Sequence, residues 1–463
     1  MRDDSSSAGA AAGRGQARRL RLLEGPVGRT LARLALPNIV VVATQTLVTG
    51  ADAWFVGKLG VAGLAALALV FPVQAMMQMM SAGAMGGGIS SAIARALGAG
   101  DRARAEALVV HALLIALGMA AAYTVLFGLL AEPLFSLLGG RGAALDGAVG
   151  YARIMFGGAA IVWLANTLAS VLRGTGNTAA PGLIITVTSL GGVALSGALT
   201  LGWAGFPALG VRGPAVAYIV SFGAAALAML VYIRVHGDLK IHLRGIRIQA
   251  ALFASILRVG GVACGNALLT IATIVIVTGL VGRYGTEALA GFGLGSRLEI
   301  MLIPIAFGVG GAMTAMVGTN RGAGTHARAR RVAWTGSLVV LAFTGAIGIG
   351  AALWPQLWTG LFTADAAAIA VAHTYLRIVG PCYGFFAFGM ALYFATQGTG
   401  NMTWPFISGV LRLVIAAGGG ALLALGFGMS IEALLACVAL GLFSFGAVIA
   451  WSLGWSRIWH PRG

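Results

Sequence analysis

The stretch Val56–Leu69, VGKLGVAGLAALAL, returns as VGRYGTEALAGFGL at Val281–Leu294, a shift of 225 residues. Three further matches keep the register at 224: GAGD at Gly98–Asp101 with GAGT at Gly322–Thr325, YARI at Tyr151–Ile154 with YLRI at Tyr375–Ile378, and G-T-G-N-x-x-x-P at Gly174–Pro181 with the same pattern at Gly398–Pro405. One such match arises by chance; four in one register mark an internal duplication.

The duplicated unit is apolar. Of 463 residues, 59% are hydrophobic and 9% charged, with a mean hydropathy of +0.93, whereas soluble domains carry about 25% charged residues. This excludes an ordinary soluble enzyme. A membrane-crossing helix needs roughly 20 apolar residues, and the chain divides into twelve such runs: 33–56, 60–86, 104–130, 147–171, 178–202, 212–235, 251–280, 287–315, 330–354, 369–395, 403–426 and 430–456. Runs this long are helices rather than the short alternating strands of a transmembrane barrel. Six spans per copy is an even number, so both copies enter the membrane from the same side. Parallel halves of this kind recur in alternating-access transporters. The expected fold is an all-α polytopic membrane protein with twelve transmembrane helices in two pseudo-symmetric six-helix lobes. The lobes are 33–235 and 251–456, joined by a cytoplasmic linker 236–250, with a disordered basic tail 1–32 and a cytoplasmic C-terminus 457–463.

The net charge of +17 does not point to nucleic acid, because the basic residues sit in tails and loops between the apolar runs. Of 30 Lys and Arg, 21 fall on one side, Arg95 and Arg173 among them. Four (Lys58, Arg141, Arg212, Arg283) fall on the other side, and five (Arg153, Arg258, Arg297, Arg377, Arg412) lie in or at the ends of spans. Positive charge is retained in the cytoplasm, so both termini are expected to be cytoplasmic in a multi-pass protein of a bacterial inner membrane. The 72 glycines suit close packing between membrane helices. Cys264, Cys382 and Cys437 lie in apolar runs and read as small hydrophobes. The glycine turns lack the preceding strand and the Gly-Lys-Ser/Thr of a phosphate cradle. No zinc spacing, nucleophilic triad or paired acid is visible, and His111 stands alone in the third span. No enzymatic activity, cofactor or metal site is expected.

Among 13 acids, most belong to tails and loops. Asp52 lies 18 residues beyond Leu34, about 27 Å along a helix, in the outer part of the first span. Gln45 and Asn38 precede it at steps of seven, and Thr49 is three residues away. Four polar groups on one face of an apolar helix do not point at lipid. A carboxylate facing a partly dry cavity pays a desolvation cost for its charge, which suits it to load and release one proton per cycle. The alternative is a solvated helix-end residue beside Lys58. Pro37 is either a bending point of the first span or a helix-start proline. In the second span, Gln74 and Gln78 share a face, and the intervening Met77 offers soft surface for varied substrates or plain packing. Trp163, Asn166 and Tyr218 are further candidates for the lining of a substrate cavity. Glu299, two residues after Arg297, is either a structural ion-pair partner or a cleft residue.

The ordered set P-x(14)-D-x-x-x-V-G-x-L-G (Pro37, Asp52, Val56 to Gly60), the Leu/Ala-rich second span, GAGD and R-G-T-G-N-T-x-x-P (Arg173 to Pro181) resembles the multidrug and toxic compound extrusion (MATE) family over nearly the whole chain outside the tail. The resemblance implies two six-helix lobes around a central cleft and export of organic, often cationic, compounds against entry of protons or sodium. In DinF-like members a proline and aspartate at this separation belong to a first helix proposed to bend on protonation. The 225 shift maps Gln45 to Thr270 and Asp52 to Val277, so the seventh span has no matching acid. NorM-like members carry acids in the seventh and tenth spans, and the positions here hold Thr270 and Phe386. The chain thus looks closer to the DinF-like, proton-coupled members, and sodium is weakened but not excluded. Several proton-coupled relatives carry a second aspartate in the fifth span; the matching place here is near Ser196, among Thr186, Thr188 and Ser189.

The expected function is secondary active multidrug efflux by cation antiport, proton-coupled, through alternating access. The partners are small organic substrates, the coupling ion and the lipid bilayer, and the chain is expected to act as a monomer. The main alternative is a lipid-linked oligosaccharide flippase of the same superfamily, for which several in-span cations would be expected. A non-transporting receptor or scaffold leaves the duplication and the embedded acid without a reason.

Overall fold

The computed structural model describes residues 3–236, 238–239, 247–362, 365–455 and 459. Among these residues the apolar runs are helical and no strand forms, because a helix satisfies its backbone N–H and C=O groups within its own segment. Among the described residues eleven single helices are long and apolar enough to cross a membrane, and one bent pair, taken as one span, makes a twelfth. The first three are Val27–Gly57, Val61–Gly98 and Arg102–Leu129. The fourth consists of Gly142–Gly157 and Ala159–Gly174, bent by 48°. Ala179–Leu201 and Gly210–His236 are the fifth and sixth. The seventh to twelfth are Ala250–Tyr284, Thr286–Gly322, His326–Leu353, Ala366–Thr399, Thr403–Gly426 and Ile431–Gly454.

The second span runs to Gly98 rather than ending at 86. Gly86–Gly88 lower the hydropathy there, but the helix continues because Gly86–Gly98 is buried along most of its length between other helices. Just before it, Met79–Met85 forms a wider π-type turn, a device that often appears inside helices at functional sites.

The tail departs from expectation. Asp3–Glu24 is a helix rather than a disordered segment, and side chains of its second half engage the rest of the molecule. Arg19 donates to the carbonyls of Leu97 and Gly98 at 3.0 and 2.9 Å, Arg18 pairs with Asp238 at 2.7 Å, and Leu22 is 4% exposed. Asn320 Nδ2 donates to the Leu22 carbonyl at 3.1 Å. Composition suggested disorder because the partners of these arginines are distant in sequence. The expected linker 236–250 and C-terminal segment 457–463 lie outside the described residues except at 236, 238–239, 247–250 and 459.

The duplication has a physical counterpart at the face where the first span begins, called here the tail face. A Cβ on Gly98 would lie 2.1 Å from the Thr319 carbonyl oxygen, and one on Gly322 would lie 2.1 Å from that of Arg95. These are the same contact seen from each copy, since Gly98 corresponds to Gly322 and Arg95 to Thr319 in the 224 register. Only glycine admits this approach of the second and eighth spans. The guanidinium of Arg95 also donates to the carbonyls of Gln397 and Gly398 in the tenth span. The tail-face end of the two halves is thereby closed.

Candidate translocation cavity

The first span presents Asn38, Gln45, Thr49 and Asp52 to a cavity of about 350 Å³ between the two sets of six spans. Residues seven apart return to nearly the same side of a helix, so the polar face expected from the sequence exists. Its partners follow the same step. Gln45 Nε2 donates to Ser189 Oγ at 2.9 Å, and Ser196 Oγ donates to Asp52 Oδ1 at 2.5 Å. Both pairs are separated by 144 residues, as two parallel helices in fixed register require. Asn38 Nδ2 reaches across to the Gly308 carbonyl of the eighth span at 3.4 Å, while Thr49 Oγ1 donates back to the Gln45 carbonyl at 3.0 Å.

Pro37 does not start the helix, which begins at Val27. It sits inside the span against the fifth: a Cβ on Gly182 would come within 2.8 Å of the Pro37 Cβ. The helix continues through it, and Pro37 is not part of the cavity wall.

Gln74 and Gln78 both line the cavity. Tyr151 donates its hydroxyl to Gln74 Oε1 at 3.1 Å, and Asn166 Nδ2 donates to Gln78 Oε1 at 2.8 Å and Ser81 Oγ at 2.9 Å. Asn166 and Tyr218 are wall residues too. Three expected wall residues are elsewhere. Met77 is 0% exposed, because one residue of helix turns it about 100° away from Gln78 into the core; Met79, at the start of the wide turn, lines the cavity in its stead. Trp163 is 1% exposed and packs with its ring centroid 6.0 Å from that of Tyr123, inside the first six spans. Glu299 lies in a separate small pocket with Tyr383 and Phe386, where it accepts from the Tyr375 hydroxyl at 3.1 Å. The guanidinium of Arg412 stacks 4.6 Å from the Phe386 ring rather than forming an ion pair within 4 Å of Glu299.

The second set of spans contributes mainly apolar surface, Ile303, Phe307 and Phe394, with Gly311 and Thr314. Nearly all the polarity therefore belongs to the first six spans. Among the wall residues that escaped the sequence reading are Ser90 and Arg173. Arg173 was counted with the loop charges because it abuts the glycine turn, but the fourth-span helix extends through Gly174. A signal was present: its counterpart in the second copy is Gln397, so the turn itself does not demand a cation.

A family model described as MatE matches residues 37–198 and 262–422. A protein named FAD transporter from Shewanella oneidensis is 28% identical over 377 residues, covering 81% of this chain and 82% of the relative. A probable multidrug resistance protein NorM from Thermotoga maritima is 28% identical over 385 residues, covering 82% of each. The solved structure described as MATE in the straight conformation superposes with a TM-score of 0.85 at 25% identity, covering 95% of this chain and 98% of that one.

Proposed function

Because the chain belongs to the MatE family, whose members are membrane transporters of small molecules and not enzymes, we propose that it exports organic compounds by proton antiport. The observation that carries this reading is Asp52, the one carboxylate in the cavity wall among the described residues, held by Ser196 on a parallel helix. Protonation from the side opposite the tail face removes the charge that the Ser196 hydroxyl and its surroundings solvate. The first span then repacks against the fifth, the cavity loosens its hold on cargo, and the chain returns through a state open at the tail face. The closed tail-face contact of Gly98 and Gly322 supports a starting state that opens on the other side. With 21 basic residues on the tail side, that side is read as the cytoplasm, with both termini there and the protein in a bacterial inner membrane as a monomer. The absence of acids at Thr270 and Phe386 favours protons over sodium and the DinF-like members over the NorM-like ones.

The test is export of ethidium by purified protein in liposomes under an imposed proton or sodium gradient, for wild type and Asp52→Asn. Proton-driven export lost in the variant is the expected result. Sodium-driven export overturns the proton assignment, and no export under either gradient moves the lipid-linked flippase to first place.

A further inference from the structure

The cavity wall holds one acid and one base, and they stand at opposite ends. Asp52 lies near the far end of a first span that starts at the tail face, whereas Arg173 is the penultimate residue of a fourth-span helix that ends at the tail face. No carboxylate lies within salt-bridge distance of Arg173 among the described residues. Among the described residues the one hydrogen bond of its guanidinium is from Nη2 to Ser170 Oγ at 2.8 Å. The carbonyls at that helix end are occupied without it, since Thr175, Gly176 and Asn177 donate their backbone N–H groups to Val171, Leu172 and Arg173. The guanidinium is therefore neither a helix cap nor half of an ion pair.

Next to it the wall is cut back. A Cβ on Gly86 would lie 2.6 Å from Ser170 Oγ and 3.6 Å from Arg173 Nη2, so glycine there keeps the space before the guanidinium clear. On the same helix face Ser90 also lines the cavity; it is 3% exposed and its hydroxyl has no hydrogen-bond partner among the described residues. A buried hydroxyl without a partner beside an unpaired cation is costly unless something binds there. Phe71, Phe222, Phe307 and Phe394 supply aromatic surface further along the wall.

We propose that Arg173 and Ser90 form an anion subsite at the tail-face end of the cavity, and that the cargo is an aromatic compound bearing a phosphate or carboxylate group. This rests on the transporter reading above and narrows its substrate class. The planar guanidinium offers paired donors matched to such an oxyanion, Ser90 adds a further donor, and the aromatic body lies toward the phenylalanines. The second copy places neutral Gln397 at the equivalent position, so the subsite is single and orients the cargo. The count of in-span cations in the sequence left Arg173 out because it was assigned to a loop.

The experiment measures equilibrium binding of 4-methylumbelliferyl phosphate and of neutral 4-methylumbelliferone to the purified full chain. Wild type is expected to bind the phosphate ester about tenfold more tightly than the neutral compound. Arg173→Gln removes that preference and strengthens ethidium binding, an opposite response that general damage would not produce. Arg173→Lys keeps part of the preference, and Ser90→Ala lowers it a few-fold while removing no existing hydrogen bond. Absent binding of the ester, equal binding of both compounds by wild type, or an undiminished preference in Arg173→Gln overturns the proposal. Should Arg173→Gln not fold, a preference untouched in both other variants does so. Proton-driven export of the phosphate ester and of ethidium by wild type separates the two readings: export of neither with the preference intact removes the coupling and leaves the subsite, and export of ethidium without the preference removes the subsite alone.

Discussion

Ser196 Oγ donates to Asp52 Oδ1 at 2.5 Å from a helix that runs parallel to the first span, at the place where several proton-coupled relatives are expected to carry a second acid. A hydroxyl there orients the carboxylate without adding a charge. Asp52→Asn is expected to abolish gradient-driven export while leaving the protein inserted and monodisperse. Ser196→Ala, which removes one donor worth about 1.5–3 kcal/mol to a charged acceptor, is expected to slow export without abolishing it. Initial rates in liposomes decide this; equal loss in both variants would make Ser196 part of the proton site itself.

The reciprocal contact of Gly98 with Thr319 and Gly322 with Arg95 leaves no space for a side chain. Gly98→Val is expected to destabilise the closed tail face by about 1–3 kcal/mol, the usual cost of overpacking. A lower Tm together with faster maleimide labelling of Ala94→Cys, a fully buried position beside Gly318, from the tail side would register it. An unchanged labelling rate would show that the seal lies elsewhere.

Met77 and Met79 are two residues apart and do different things. Met77 is fully buried, so Met77→Ala is expected to cost about 2–5 kcal/mol of stability. Met79 faces the cavity, so Met79→Ala is expected to change the affinities for cargo with little change in Tm. Denaturation and binding measured on both variants would expose a reversed assignment.

The helix Asp3–Glu24 ties the second span, through Arg19, to the eighth, through Asn320 and Leu22. Removal of residues 1–24 frees these groups and is expected to raise the same Ala94→Cys labelling rate while transport-competent insertion persists. Arg19→Ala should produce part of the effect. Identical labelling in the full-length and truncated chains would mean that the helix does not brace the closed state.

The number of spans, their duplication and the polar face of the first helix were legible because each is a local pattern. Apolar length sets a membrane helix, a fixed shift marks the copies, and a step of seven keeps Asn38, Gln45 and Asp52 on one side. The surroundings of Met77, Trp163 and Glu299 were not legible for the opposite reason: helix geometry says which residues share a face, but not which neighbouring helix covers that face. Glu299 is drawn into its own pocket by Tyr375 and Phe386, groups that hydropathy cannot place beside it.

Composition and periodicity by themselves determined a duplicated, twelve-span membrane protein with a lone acid in its first span, since lipid permits few alternatives to a hydrogen-bonded helix. Only tertiary packing decided that Ser196 stands beside Asp52, that Gly98 and Gly322 close one end, and that Arg173 looks into the cavity. The first two relationships join residues 144 to more than 220 positions apart, and a linear pattern carries no information about which distant helices meet until their shapes and polar groups have been fitted together.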